Sequence, residues 1–263
     1  MRRHVLVAVI LLAFGAAKLP LEKRLTEEHR AAFFHGAKLN LGLRQQIGQL
    51  GFIAALSGFR AVVADVLWIQ AHVAWENTQW GRMALLFNNV TALQPRNTMF
   101  WDMAGWHMAW NASIAALQNP KQPREALRRK AQREYFELGR DFYERGIENN
   151  PDKPLLYERL GLLLADKFQD HCGAAEAYAK AATFPDAMGY VKRFAVYELA
   201  KCPGHEREAY ERLLALYKMG ESQWLPTLLK QLQILEEKLN VPASERVYIP
   251  PENSAAPAIS PAP

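Results

Sequence analysis

Three segments of this 263-residue chain share one spacing of two mostly small residues and an aromatic residue between them, and each is followed by proline 11 or 12 positions after its first residue. The clearest copy consists of Gly139, Tyr143, Gly146 and Pro151. The next copy consists of Ala174, Tyr178, Ala181 and Pro185, and an earlier, less regular copy of Met83, Phe87, Val90 and Pro95. The last two prolines lie 34 positions apart, whereas the first two lie 56 apart, which indicates an insertion of 22 residues.

This pattern resembles the tetratricopeptide repeat (TPR), a pair of helices that recurs every 34 residues. In that repeat the small residues let two helices approach closely, and proline ends the second helix. A single pair cannot bury its own apolar stripe, so successive pairs stack into a solenoid with a continuous core. We therefore expect an all-α fold, a TPR-like solenoid of stacked antiparallel helix pairs.

The composition is that of a folded body with a mild positive charge. Half of the residues are hydrophobic and 22% are charged, which disfavours both disorder and a polytopic membrane protein. The net charge is +5, but no aromatic and basic recognition motif accompanies it. We therefore expect no nucleic-acid partner.

The amino terminus carries a targeting signal. Arg2 and Arg3 precede an apolar run over residues 5–17. Thirteen apolar residues are short for a bilayer span and typical of the core of a secretory signal. Because Lys18 and Pro20 disfavour cleavage after Ala17, we predict an uncleaved anchor helix over residues 1–21, with the repeats on the periplasmic or other extracytoplasmic side. The alternative is a cleaved signal and a soluble exported protein.

The rest of the chain divides into four further parts by composition. We predict a tether over residues 22–43, tryptophan-rich N-terminal repeats over 44–117, TPR-like repeats with a capping helix over 118–239, and a disordered Pro/Ala-rich tail over 240–263. Apolar residues recur almost all round the helix expected within residues 44–76. That pattern is typical of a helix covered on several sides.

The two cysteines fall at similar points of consecutive predicted pairs. Cys172 and Cys202 both lie between helices, and stacking brings such turns side by side. A disulfide requires Cα atoms within about 7 Å and would agree with export to an oxidising space. Two unpaired thiols are the alternative.

Six of the seven tryptophans lie between Trp68 and Trp110, and polar residues are threaded among them. We expect Arg60, Asp65 and Asp102 to be buried polar residues, the first two as an ion pair on one helix. A metal site could use His72, Glu76, Asp102 and His107, and acid–base catalysis could use the last two of these. The motifs that accompany such sites are absent from the sequence, so we expect no metal, no cofactor and no enzyme activity.

The sequence GFRAVVADVLWIQAHVAWE, followed by LQPRN and FWDMAGWHMAWN, resembles a group of bacterial membrane-anchored TPR proteins without an assigned reaction. The resemblance covers residues 44–218. It implies the fold and the anchor, but it implies no activity and no functional residue.

These features favour a non-enzymatic, membrane-tethered scaffold that binds a protein or peptide of an envelope-associated assembly in its concave face. The predicted partner-binding residues are Trp101, Trp106, His107, Trp110 and Asn111, with Tyr157, Arg159, Tyr190 and Arg193 on later first helices. The alternative is an enzyme or a binder of a small molecule or metal that uses the polar residues of the tryptophan-rich block. A water-accessible pocket that gathers Arg60, Asp65, Asp102 and His107 would favour that alternative. A third hypothesis is a subunit buried in a larger complex, which predicts a large exposed apolar patch.

Overall fold

A computed structural model describes residues 58–247, together with Val9, Ile10, Ala13, Phe14, Ala16, Ala17, Lys18 and Pro20 of the leader. Every regular element within these residues is helical, so the all-α prediction is confirmed. The predicted tether, the first part of the tryptophan-rich block, and most of the leader and tail lie outside the described residues. Among the helices that are described, none is both long enough and apolar enough to cross a bilayer.

The described helices follow one another with short connections. They are α1 (Arg60–Glu76), α2 (Trp80–Leu93), α3 (Thr98–Trp106), α4 (Ser113–Leu117), α5 (Glu125–Asn149), α6 (Pro154–Leu163), α7 (His171–Ala181), α8 (Gly189–Leu199), α9 (Glu206–Lys218) and α10 (Pro226–Lys238). A π-helical turn, His107–Ala112, joins α3 to α4, and a second, Leu164–Phe168, extends α6.

Helix starts are set by caps and prolines. The Asn97 side chain accepts a hydrogen bond from the Met99 backbone N–H and so caps α3. Asp170 caps α7 in the same way. The last helix begins at Pro226, because proline suits the first helical turn, where no N–H is needed.

Helices that are neighbours in sequence are neighbours in space. Helix α1 packs on α2, and the segment from α3 to α4 packs on α5. Helix α7 packs between α6 and α8. Helix α9 packs between α8 and α10. Helix α3 also contacts α6. We call α1, α3, α6 and α8 the first helices, and α2, α5, α7 and α9 the second helices.

Glycine lets the first and second helices approach in two consecutive pairs. A Cβ atom added to Gly105 of α3 would lie 2.5 Å from the Tyr143 ring of α5. One added to Gly161 of α6 would lie 3.0 Å from the Tyr178 ring of α7. Both tyrosines are buried, so any larger residue at either glycine would have to displace a close-packed ring.

The two π-helical turns each add a residue to a first helix. A π turn is a one-residue insertion into an α-helix. The turn in α6 lies between Gly161 and Ala174, within both the 35 positions from Gly139 to Ala174 and the 34 positions from Pro151 to Pro185. The one-residue difference between these two intervals arises after Ala174, where proline follows at 11 positions instead of 12.

The insertion of 22 residues lengthens the second pair of helices. It comprises α4, the loop after it and the first turns of α5, and α4 packs on α5. Basic residues on this part of α5 pair along the same helix: Arg129 with Glu125 at 2.7 Å and Lys130 with Glu134 at 3.8 Å. These four side chains are exposed, which is typical of a solvated helix face.

A disulfide joins Cys172 to Cys202, with Cα atoms 4.9 Å apart. Cys172 lies in the first turn of α7, and Cys202 lies just after α8. The bond therefore closes a loop that contains both helices, and it holds the start of α7 to the end of α8.

Candidate partner-binding face

A chain of polar contacts crosses the first helices α3, α6 and α8. Nε of Arg159, on α6, donates a hydrogen bond of 3.0 Å to Oδ1 of Asp102 on α3. Nη1 of Arg159 lies 3.5 Å from Oε1 of Glu158. The Tyr190 hydroxyl of α8 donates a hydrogen bond of 2.6 Å to the same Glu158 oxygen. We call these four residues the first-helix network, because they fix three first helices relative to one another.

Burial and charge together set the protonation of the network. Burial raises the pKa of Asp102, the Arg159 charge opposes that rise, and Glu158 adds to it. Burial lowers the pKa of Arg159, but the charges of Asp102 and Glu158 outweigh it, so the Arg159 pKa is raised overall. The hydrogen bond to Glu158, with burial, raises the pKa of Tyr190. At neutral pH the network therefore presents a firmly held cation and a neutral hydroxyl donor.

Two tryptophans lie beside the network on the same helical side as Asp102. The rings of Trp106 and Trp110 stack, with centroids 4.6 Å apart and planes 12° from parallel. Asp102, Trp106 and Trp110 follow one another at four-residue steps, which places them on adjacent turns. We call the two rings the tryptophan pair. Trp106 is 39% exposed, so the pair offers an aromatic surface to solvent.

The end of α6 holds the tryptophan pair in place. Trp110 Nε1 donates a hydrogen bond of 3.2 Å to Oδ2 of Asp166. Lys167 Nζ lies 5.1 Å from the Trp110 ring centroid and 3.0 Å from the same Asp166 oxygen. The Trp110 indole thus donates a hydrogen bond at its edge and contacts a cation at its face, and both interactions restrict rotation of the ring.

His107 faces the interior beside α1 and α2, and Asn111 lies one turn after it. Asn111 Nδ2 lies 2.9 Å from His107 Nδ1. The imidazole stacks on Phe87 at 5.9 Å and meets Trp75 edge-on at 5.8 Å. Burial lowers the pKa of His107, with His72 adding to the effect. His107 therefore contacts α1 and α2 of the same chain, and Asn111 contacts His107 one turn before it.

Two other predicted partner-binding residues lie away from the network. Trp101 is 3% exposed, and its Nε1 donates a hydrogen bond of 2.8 Å to the Pro95 carbonyl, so its prediction as a contact residue is wrong. Trp101 faces the second helix α5, where burial of a large ring stabilises the pair of α3 and α5.

Tyr157 stacks on Phe184 and lines a groove of about 410 Å³ beside α5 and α7. It lies two residues from Arg159, and hence on the opposite side of α6.

The exposed face continues along α8. Arg193 lies three residues after Tyr190, on the same side of α8, and is partly exposed. Phe194 is 39% exposed, and its ring lies 5.2 Å from that of Tyr190.

Phe194 and Glu158 were not predicted from the sequence as site residues. The signal for Phe194 is an aromatic residue one turn after Tyr190, and that for Glu158 is a carboxylate directly before Arg159.

The polar residues of the tryptophan-rich block do not gather in one pocket. Asp65 is exposed, so its prediction as a buried residue is wrong; the helix turns it away from α2. Arg60 and Asp102 are half-buried. A cavity of about 40 Å³ beside His107 is lined by His72 and five apolar residues, without Arg60, Asp65 or Asp102. In the described part of the chain, no three metal-ligating side chains are grouped.

No protein-family model matches the sequence, and comparison with curated proteins gives no match either.

Proposed function

We propose that this chain is a TPR-like scaffold, tethered to a membrane through residues 1–21, that binds a protein or peptide of an envelope-associated assembly. The repeat architecture is supported by the serial packing of the helices and by the two equivalent contacts of glycine with tyrosine. These contacts lie where the 34-residue pattern requires close approach. The resemblance of residues 44–218 to bacterial membrane-anchored TPR proteins agrees with this architecture.

The binding surface in this proposal is the exposed side of α3, α6 and α8. It comprises Asp102, Trp106, Trp110, Arg159, Tyr190, Arg193 and Phe194. The observation that carries the proposal is the first-helix network, which holds charged and aromatic groups of three helices in fixed positions beside an exposed tryptophan pair. Tryptophan, tyrosine and arginine are the residues that dominate binding energy at protein interfaces.

A non-enzymatic role is supported by the partners of the two strongest catalytic candidates. The Asp102 carboxyl is bonded to Arg159, and His107 is bonded to Asn111. An acid–base pair would require both groups within reach of one substrate atom. Here Asp102 instead joins α3 to α6 through Arg159, and the His107 ring packs against Trp75 of α1 and Phe87 of α2.

An extracytoplasmic location is supported by the disulfide between Cys172 and Cys202. Disulfides persist in secreted and periplasmic proteins, whereas cytosolic thiols are kept reduced. The basic and then apolar leader agrees with export. A cleaved signal would give the same location without the tether.

Affinity capture of the tagged full-length protein from gently solubilised membranes tests the binding surface. Trp106→Ala combined with Trp110→Ala removes the tryptophan pair. The matched control is Tyr217→Ala with Trp224→Ala, which removes another stacked pair, with centroids 4.7 Å apart, outside the proposed surface. We expect a co-purifying protein, identified by mass spectrometry and then purified, to bind the first variant at least about tenfold more weakly and to bind the control normally. Equal binding by both variants would contradict the proposal.

A further inference from the structure

A groove lies between α5 and α7, on the side of α6 that faces away from the first-helix network. Its volume is about 410 Å³. Three helices line it: Glu144 and Ile147 of α5, Tyr157, Leu160 and Leu164 of α6, and Gly173, Glu176, Ala177 and Lys180 of α7. We call it the α5–α7 groove. It contains Tyr157, which the sequence predicts as a partner-binding residue and which the first-helix network does not include.

The floor of the α5–α7 groove is apolar, and the chain does not fill it. Leu160 and Leu164 lie one turn apart on α6, and both are partly exposed. Ile147 of α5 also lines the groove and is partly exposed. On the α7 side, Gly173 and Ala177 have little or no side chain to extend across the floor. An apolar group from a partner would therefore remove this surface from water.

Each wall of the groove carries a glutamate. Glu144 of α5 and Glu176 of α7 are both exposed. Within the described part of the chain, the Glu176 carboxylate has no hydrogen-bond or ion-pair partner. Arg140 Nε lies 3.7 Å from Glu144, but the Arg140 guanidinium lies closer to Glu137. Both wall carboxylates are therefore available to a cation from outside, although the protein as a whole has a net charge of +5.

Lys180 is the one cationic residue among those that line the groove. Its Nζ lies 5.6 Å from the Phe184 ring centroid, and the Phe184 ring stacks on Tyr157. Glu176 precedes Lys180 by about one turn of α7, roughly 6 Å along the helix axis. The cation and the aromatic rings therefore lie at one end of the groove, and the unpaired Glu176 carboxylate lies farther from that end.

We propose that the α5–α7 groove binds a peptide segment that carries a lysine or arginine next to an apolar residue. A long basic side chain packs its methylene groups on apolar surface and keeps its charge in polar surroundings. In this groove the methylene groups pack on Leu160 and Leu164, and the charge lies between Glu144 and Glu176. The adjacent apolar side chain of the segment packs beside Tyr157. An acidic segment is repelled by both walls, so the charge of the walls selects the partner.

Peptide selection on the full-length protein tests this assignment. Random peptides displayed on phage are selected on the protein in phosphatidylcholine nanodiscs, after empty nanodiscs have removed the peptides that bind lipid. The same selection is made on Glu144→Lys combined with Glu176→Lys. We expect the peptides recovered only on the wild-type protein to contain lysine or arginine beside an apolar residue. Recovery of no such peptide, or of the same peptides on both proteins, would overturn the proposal.

Fluorescence anisotropy with a selected peptide, synthesised and labelled, then measures the contribution of the walls. The charge-reversed variant should bind it at least about tenfold more weakly, because repulsion replaces attraction. Glu144→Gln with Glu176→Gln should bind with intermediate affinity, and it controls for an effect of charge reversal on folding. The matched control, Glu211→Lys with Glu237→Lys, changes the net charge equally at exposed residues of α9 and α10 and should bind normally. An equal loss in that control would overturn the proposal.

A change in the peptide tests the apolar floor. Replacing the apolar residue of the peptide by serine should weaken binding by about tenfold or more. Unchanged affinity, or equally effective competition by spermidine, would show that the groove attracts any polycation and would overturn the proposal. Trp106→Ala with Trp110→Ala should bind the peptide normally, so the groove and the tryptophan pair can fail separately.

Discussion

Removing the disulfide should destabilise the C-terminal half of the stack by a calculable amount. Cys172→Ser with Cys202→Ser opens a loop whose ends are 30 positions apart. In the chain-entropy treatment, closing a loop of that length stabilises the folded state by about 3.6 kcal/mol. The loop contains α7 and α8, which carry Tyr178 and Tyr190, so the loss falls on helices that support the first-helix network.

Urea unfolding followed by circular dichroism measures this effect. At a denaturant slope of roughly 2 kcal/mol/M, the midpoint should fall by about 1.8 M if the affected helices unfold together. The wild-type protein with a reductant should show the same shift, and the serine variant should not respond to the reductant.

Hydrogen exchange then locates the effect. Because helical-repeat stability is largely a sum of nearest-neighbour terms, protection should fall most in α7, α8 and α9, and least in α1 and α2. A serine variant with an unchanged midpoint would refute the reasoning. So would a uniform loss of protection along all ten helices.

Three further predictions follow from particular contacts. Gly161→Ala should lower stability by about 1–3 kcal/mol in thermal unfolding, because the added methyl group meets the Tyr178 ring. Gly81→Ala is the control and should be neutral or stabilising, because a Cβ atom added there has no neighbouring atom within 4 Å. The reverse order of stabilities would contradict the close approach of α6 and α7. Burial holds the pKa of Asp102 above its ordinary value, so the stability that this group contributes is fully present below about pH 4 and is lost as the pH rises through the raised value. Asp102→Asn should therefore flatten that part of the profile of unfolding free energy against pH. An unchanged profile would contradict this prediction. Tyr190→Phe should lower the free energy of unfolding by about 1.5–3 kcal/mol, because it removes a hydrogen bond to the nearly buried Glu158 carboxylate. Tyr157→Phe should lower it less in the same assay, because the Tyr157 hydroxyl donates to an exposed carbonyl.

Much of the helical arrangement could be predicted from spacing alone. The prolines and small residues are short-range signals, since each acts on its own helix or its immediate neighbour. They locate α2, α5, α6 and α7 and identify the insertion between Pro95 and Pro151. The π-helical turns could not be predicted in this way, because a one-residue insertion in a helix leaves no distinct composition.

The binding surface was harder to predict, because exposure depends on which side of a helix each residue occupies. Trp101 and Trp106 lie five positions apart on α3, yet one ring is buried against the Pro95 carbonyl and the other is exposed. Arg159 was predicted as a partner-binding residue and Asp102, 57 positions away, as a buried polar residue, but the hydrogen bond between them was not predicted. Contacts between helices of different pairs require the packing angles, which the sequence pattern does not specify.

The most direct test of the proposed function is hydrogen exchange of the full-length protein with and without its purified, co-captured partner. We predict that the partner slows exchange in α3, in the His107–Ala112 turn, and in α6 and α8, where the network and the tryptophan pair lie. Slowing confined to the second helices α5, α7 and α9, or to the groove beside Tyr157, would contradict it.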